Sequence, residues 1–237
     1  MSKRRRIVGL LGGLGPDATI DFMAKVIAMT PADTDQEHVH MLVDHNPGVP
    51  DRQRALLGTG EDPGPELAAM ASRLEGAGAE FLVIACNTAY AFKEAIVKAT
   101  GIPLISIIDV TVAAAAEHDP AAVGILATEG CLRAGIYQRA LEHTGIDTVL
   151  PSEEELEKLA ELTYRIKAGY RGETIARSMA ALAEALVARG AQLIIIGCTE
   201  IPLVLDETAV DVPLISSTDV LARETVALAR GEKALPA

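Results

Sequence analysis

The two halves of this chain carry the same short patterns in the same order, which restricts it to folds built from two copies of one unit. Phe81-Leu82-Val83-Ile84-Ala85-Cys86-Asn87-Thr88 matches Leu193-Ile194-Ile195-Ile196-Gly197-Cys198-Thr199-Glu200. Each is an apolar run that ends in cysteine and passes into polar, helix-capping residues. Upstream, Arg6-Ile7-Val8-Gly9-Leu10-Leu11-Gly12-Gly13 is echoed by Ala122-Val123-Gly124-Ile125-Leu126-Ala127-Thr128-Glu129-Gly130, an apolar run followed by a glycine-containing turn. Downstream, Ile102-Pro103-Leu104-Ile105-Ser106 matches Val212-Pro213-Leu214-Ile215-Ser216. About 75 residues separate Gly9 from Cys86, and a similar stretch separates Gly124 from Cys198. Agreement in both order and spacing reads as an internal duplication.

The hydrophobic pattern predicts strands near residues 7–11, 39–45, 81–86, 103–107, 122–127, 193–198 and 212–216. Helical patterns lie between them near 18–29, 65–76, 89–99, 110–117, 132–143, 153–168, 173–189 and 219–230. Strands that are apolar throughout and alternate with helices imply parallel sheets covered on both faces. The fold class is therefore α/β, with two pseudosymmetric domains and an active site between them. No strand follows the last helix, so it is expected to return to the first unit. The expected domains are residues 1–105 plus 216–237, and residues 106–215.

With 237 residues, 49% of them hydrophobic, the chain has ample material for such cores. A net charge of −12 argues against a nucleic-acid partner, because phosphate binding needs a basic face. Lys3-Arg4-Arg5-Arg6 is the only dense basic run. It resembles the start of a signal peptide, but Gly9, Gly12, Gly13 and Pro16 break the apolar stretch behind it. No apolar run is long enough to span a bilayer, and a cytoplasmic location is the simplest expectation. Three cysteines without CxxC spacing make neither a disulfide framework nor a zinc site. His38 and His40 have no third ligand signal, so no metal is expected.

Cys86 and Cys198 are the residues whose positions carry most chemistry. A thiolate is a good base when the free N–H groups of a helix start lower its pKa, and both cysteines stand at such turns. Asn87, Thr88 and Thr199 are helix caps in the simplest reading, and equally donors for a substrate carboxylate. Gly12-Gly13-Leu14-Gly15-Pro16 lacks dinucleotide spacing and reads as a turn where Gly13, Leu14 and Gly15 let the backbone approach a small anion. Arg52, in the Pro/Gly-rich stretch after Asn46, suits a bidentate pair with a carboxylate or a solvated loop. Lys167 stands at a helix end, where it complements the dipole. Glu200 either orients or repels the neighbouring thiol. Cys131, after the Gly130 turn, reads as a packed or rim residue.

Taken together, Gly12-Gly13-Leu14-Gly15-Pro16 with Ala18-Thr19, Asn46-Pro47 with Pro50-Asp51-Arg52, Ala85-Cys86-Asn87-Thr88-Ala89 and Gly197-Cys198-Thr199-Glu200 resemble the aspartate racemases of the aspartate/glutamate/hydantoin racemase superfamily. The likeness runs over nearly the whole chain. It implies two α/β domains around a cleft, no cofactor and a homodimer. By position it makes Cys86 and Cys198 the two acid/base residues, serving the D and L enantiomers respectively. Asn87, Thr88, Thr128 and Thr199 then match residues that hold the amino-acid carboxylate, and Arg52 and Lys167 those associated with the side-chain carboxylate of aspartate. Cys131 departs from the threonine common in the family. Thr199-Glu200, where glutamate racemases have threonine and histidine, points to the aspartate branch.

The expected activity is interconversion of L- and D-aspartate by proton abstraction at the α-carbon, the partner being a small acidic amino acid. Three alternatives stay open: a glutamate or broader-specificity racemase, a maleate-type isomerase whose thiolate adds to a double bond, and a non-catalytic small-anion binding protein.

Overall fold

The computed structural model describes residues 5–206 and 208–236, so Lys3 and Arg4 of the basic run lie outside the described residues. In the first sheet β1 (Val8–Gly12) lies between β2 (Met41–His45) and β3 (Phe81–Ile84), all parallel. In the second, β4 (Ala122–Ala127) lies between β5 (Asp147–Val149) and β6 (Leu193–Gly197), with β7 (Leu214–Ser216) beyond β6, again all parallel. The helices are α1 (Pro16–Met29), α2 (Arg52–Leu56), α3 (Gly64–Gly76), α4 (Lys93–Ala99), α5 (Ile107–Ala116), α6 (Glu129–Arg133), α7 (Ile136–Glu142), α8 (Glu153–Lys167), α9 (Glu173–Ala188) and α10 (Ser217–Ala229). Among the described residues no helix is long and apolar enough to cross a membrane.

The duplication extends to register. Gly9 pairs with Leu82 and Gly124 with Ile194. Each cysteine therefore follows an equivalent pair at the same distance along its strand. The Ile7 N–H is held by the Glu80 carboxylate at 2.9 Å, and the Ala121 N–H by the Gln192 amide at 2.8 Å. Leu82 donates to the Pro103 carbonyl, and Ile194 donates to the Pro213 carbonyl. Ser106 and Ser216 then cap α5 and α10 by accepting from the backbone N–H groups of Asp109 and Asp219.

Where the structure departs from the sequence pattern, the cause is local. The strand expected near 103–107 is reduced to a single bridge between Leu82 and Leu104, because Pro103 has no N–H to give and Ser106 already opens α5. β5 is a three-residue edge strand, too short for its period to be read. The helix expected over 132–143 is split into α6 and α7 by Gly135, whose φ of 60° no helix interior accepts. A 3₁₀ turn, Thr88–Phe92, precedes α4, and α2 forms inside the Pro/Gly-rich stretch with Asp51 as its cap.

The central strands are buried on both faces, as parallel strands under crossover helices must be. One apolar core runs continuously through both units, taking in Leu10, Leu82, Ile125 and Ile195. A second lies on the opposite face of the second sheet, where Ile194 and Ile196 meet Leu159, Leu162 and Ile166 of α8 and Met179, Leu182 and Leu186 of α9. The final helix α10 packs against α1 and α5. Asp219 of α10 binds Lys25 of α1 at 2.7 Å, and the Arg6 N–H donates to Ala229 at the end of α10.

The paired glycines leave room for the α3 and α9 ends above them. A Cβ on Gly9 would lie 2.9 Å from the Ala79 Cβ and 2.8 Å from Leu82 Cδ2, whereas on Gly124 the nearest atoms are at 3.1 Å. Gly9→Ala is expected to destabilise the fold by about 1–3 kcal/mol, the ordinary cost of overpacking a dense core. Gly124→Ala should lose clearly less, and urea midpoints of the two variants at an unchanged m-value check the order.

Candidate active site

Within each sheet the parallel strands bring the loops at their carboxyl ends to one edge: Gly12–Gly15 after β1 and Cys86–Thr88 after β3 in the first, Thr128 after β4 and Cys198–Glu200 after β6 in the second. In each sheet these are the loops of neighbouring strands whose connections leave to opposite sides, the usual place for a ligand in an open α/β sheet. The two sets of loops touch directly. Thr88 Oγ1 and Thr128 Oγ1 are 2.9 Å apart and share a buried hydrogen bond. Gly15 approaches Glu200 so closely that a Cβ there would stand 2.5 Å from Oε1.

The glycine loop is shaped by its own side chains. Gly13 has φ of 85°, with the Asn46–Pro47 backbone where a Cβ would go. Thr19 of α1 accepts from the Gly13 N–H at 2.8 Å and donates to the Gly15 carbonyl at 2.9 Å. Arg52, the first residue of α2, donates through Nη2 to the Leu14 carbonyl at 2.8 Å and through Nη1 to the Val49 and Pro50 carbonyls. Its Nε is buried without a hydrogen-bond partner.

Around Cys198 the electrostatics differ from the sequence expectation. The residues after it form a turn and a three-residue 3₁₀ helix, Ile201–Leu203, and neither Thr199 nor Glu200 caps it with a side chain. Among the described residues, no α-helix begins between this thiol and β7. Burial pushes the Cys198 pKa well above the ordinary thiol value, and the Glu200 carboxylate raises it further, while Lys167 acts in the opposite direction. The thiol donates to Glu200 Oε2 at 3.1 Å, and Thr199 Oγ1 lies 3.4 Å from the same oxygen. Oε1, also buried, has no hydrogen-bond partner.

Lys167 is the cation of this cluster. The residue keeps exposed surface, and protein crowded around its ammonium acts to lower its pKa. Glu200, Cys198 and Cys86 outweigh that effect and hold the pKa above the usual lysine value. Across from it, burial works against the Asp51 carboxylate, but the Arg54 N–H, Lys167, Arg52 and the Gln53 N–H keep it below the usual range. A cavity of about 50 Å³ is lined by Gly15, Ile166, Lys167, Arg171, Glu200 and their neighbours. At its edge Arg171 binds Asp17 of α1 at 2.7 Å, another link between the two halves.

Gly13, Leu14, Gly15 and Arg52 thus gather with Lys167, Cys198, Thr199 and Glu200, Thr88 meets Thr128, and Cys86 lies within electrostatic reach of Lys167. Three others are engaged in contacts outside this cluster. Gly130 lies within α6, where a Cβ would press on the Gln53 Cα of α2 at 3.3 Å. Cys131 is fully buried with its pKa pushed up to about 12, first by burial and then by Cys86. Asn87 does not cap a helix; its amide is bound on both sides, accepting from Tyr137 at 2.6 Å and donating to Ser217 at 3.0 Å. Tyr137, Ser217, Arg171 and Asp51 were missed by sequence reasoning. Only Asp51, a carboxylate before a short polar run, carried a local signal, that of a helix cap.

A family model described as Asp/Glu/Hydantoin racemase matches residues 11–225. The broad specificity amino-acid racemase RacX of Bacillus subtilis (strain 168) is 28% identical over 224 residues, covering 93% of this chain and 96% of that one. Aspartate racemase of Picrophilus torridus superposes with a TM-score of 0.82 at 27% identity, covering 94% of each chain. The glutamate racemase of Francisella tularensis subsp. tularensis SCHU S4 shares the fold, with a TM-score of 0.69 at 18% identity over 96% of this chain and 81% of that one.

The Glu200 charge is one cause of the high Cys198 pKa, so Glu200→Gln should make this thiol titrate lower. Iodoacetamide labelling of Cys198, followed by peptide mass mapping across pH, is expected to move its midpoint down by about 1–3 pH units. An unchanged midpoint would show that burial alone sets the thiol's proton affinity.

Proposed function

Because the chain belongs to the Asp/Glu/hydantoin racemase family, we propose that it is a cofactor-independent amino-acid racemase that interconverts L- and D-aspartate with two cysteines. The observation that carries this reading is the equivalent placement of Cys86 and Cys198, each following the same glycine-paired register position of its own sheet. Residues 1–105 with 216–237 form one racemase domain and residues 106–215 the other, with the substrate in the cleft between them. The active species is a cytoplasmic homodimer.

In the L-to-D direction the Cys198 proton passes to Glu200 Oε2, its hydrogen-bond acceptor, leaving a thiolate. That thiolate takes the α-hydrogen as a proton. The C–H electron pair stays on the substrate and spreads into the α-carboxylate. Cys86 delivers its thiol proton to the opposite face and becomes the thiolate that starts the reverse reaction. Thr88, Thr128 and Thr199 give their hydroxyls to the α-carboxylate, where the charge develops. For Thr88 and Thr128 this means exchanging their mutual bond for one to substrate.

Two buried atoms without partners support a zwitterionic, acidic substrate. Arg52 has its Nε–H and one Nη2 hydrogen left after the Leu14, Val49 and Pro50 carbonyls are served, enough for a bidentate carboxylate. Glu200 Oε1 is an acceptor suited to the α-ammonium. Lys167 adds a second positive charge beside the distal carboxylate. The likeness to RacX favours a second reading, a racemase of broad specificity.

Incubation of the protein with each L-amino acid, without pyridoxal phosphate, and chromatographic resolution of the enantiomers separates these readings. Aspartate is expected to have the highest kcat/KM; equal rates across neutral and acidic side chains would establish broad specificity, and no racemisation would refute both readings. Cys86→Ala and Cys198→Ala should each reduce turnover by several orders of magnitude while circular dichroism stays unchanged.

Arg52→Leu is expected to lower kcat/KM for aspartate by roughly 2–5 kcal/mol of transition-state free energy, the usual loss when one partner of a buried charged pair is truncated. Arg52→Lys should recover only part, since an ammonium keeps the charge without the planar fork. Steady-state kinetics at low and high salt check this, because a solvated loop arginine would show a small effect that salt abolishes.

A further inference from the structure

Tyr137 has no part in the chemistry above, yet this fully buried α7 side chain touches both cysteine motifs. Its hydroxyl donates to Asn87 Oδ1 at 2.6 Å, and Asn87 immediately follows Cys86. Its ring edge lies against Gly197, which immediately precedes Cys198. A Cβ on Gly197 would stand 2.7 Å from Tyr137 Cε2, so no larger residue fits while the ring is there.

The hydroxyl belongs to a closed polar network. Asn87 Nδ2 donates to Ser217 Oγ at 3.0 Å, and the Thr111 and Ser217 side chains act on the Tyr137 hydroxyl, opposing the rise in its pKa. The network thus draws on α5, α7, α10 and the turn after β3. Burial raises the Tyr137 pKa, so the phenol remains a donor at every working pH. An amide whose oxygen and one N–H are both committed has no freedom to rotate, and its remaining N–H keeps a single direction. A tyrosine needed only to fill space requires no hydroxyl, since phenylalanine occupies nearly the same volume.

Resting on the two-cysteine reading, we propose that Tyr137 is a positioning residue: its hydroxyl orients Asn87 beside Cys86 and its ring edge sets Gly197 before Cys198, so one side chain fixes the relation of the two turns. Misplacement of reacting groups is costly to kcat while KM changes little, which separates this role from simple packing.

The test is a double-mutant cycle in full-length protein, with racemisation of the preferred amino acid as the readout. Tyr137→Phe keeps the ring on Gly197 and removes the hydroxyl. It is expected to lower kcat by about 10–100-fold with KM changed less than about threefold. In an Asn87→Ala background the same change should cost less than about twofold, because the hydroxyl acts through the amide. Ser217→Ala, which frees the other side of the amide, should reproduce the kcat loss and serves if Tyr137→Phe does not fold. Gly197→Ala should impair turnover through the ring. A wild-type kcat in both Tyr137→Phe and Ser217→Ala, or an equal loss with and without Asn87, overturns the proposal while leaving the two-cysteine reading intact. Near-normal turnover of Cys86→Ala or Cys198→Ala overturns both.

Discussion

Parallel pairing with one repeated register is the constraint from which the rest of this structure follows. When every strand of a sheet points the same way, every loop that leaves a strand's carboxyl end lies on one side, and each connection must cross back as a helix. The same order, with the first strand of each unit between its second and third, occurs twice. Gly9 and Gly124 hold their equivalent partners Leu82 and Ile194, so the polar residues at both strand ends emerge at matching heights. A one-residue slip in either unit would turn its side chains to the opposite faces of the sheet and carry the cysteine with them.

The second organising fact is a buried carboxylate that no single partner satisfies. Glu200 sits beneath the glycine loop with one oxygen on the Cys198 thiol and the other without a hydrogen bond. An isolated charge in such a place is strongly unfavourable, and here Lys167 compensates it across the site. The arrangement couples four groups. Glu200 holds the proton on Cys198, Lys167 opposes it, and both cysteines strengthen the hold of Lys167 on its own proton. Such a cluster can move a proton over a short distance, since small changes in one charge shift the others.

Contacts between the halves are mostly polar at the site and apolar beneath it. Thr88 with Thr128 and Arg171 with Asp17 join the loops above, while the shared core joins the sheets below. α10 adds a covalent return, since the chain leaves the second sheet at β7 and packs against α1. Loops linked by a few exchangeable hydrogen bonds over a rigid core suit a site where the same hydroxyls first bind each other and then a ligand.

By itself the sequence determined the α/β class, the duplication and the set of residues at the strand ends, because these rest on local period and on short patterns such as Cys86-Asn87-Thr88 and Cys198-Thr199-Glu200. It also placed most helices, whose apolar spacing and caps are local properties, although β5 was too short to show and Gly135 broke a pattern that read as continuous. Tertiary structure alone decided what each side chain does. The thiol of Cys198 read as a group activated by a helix start, and it is instead held protonated by burial and by Glu200, neither of which is visible in neighbouring sequence. Asn87 read as a cap, and its amide is spent on Tyr137 and Ser217, which lie far away in the chain. The physical reason is one of range: hydrogen-bond propensity and hydrophobic period act over a few residues, whereas desolvation and charge coupling depend on every atom packed nearby, and packing is a property of the whole fold.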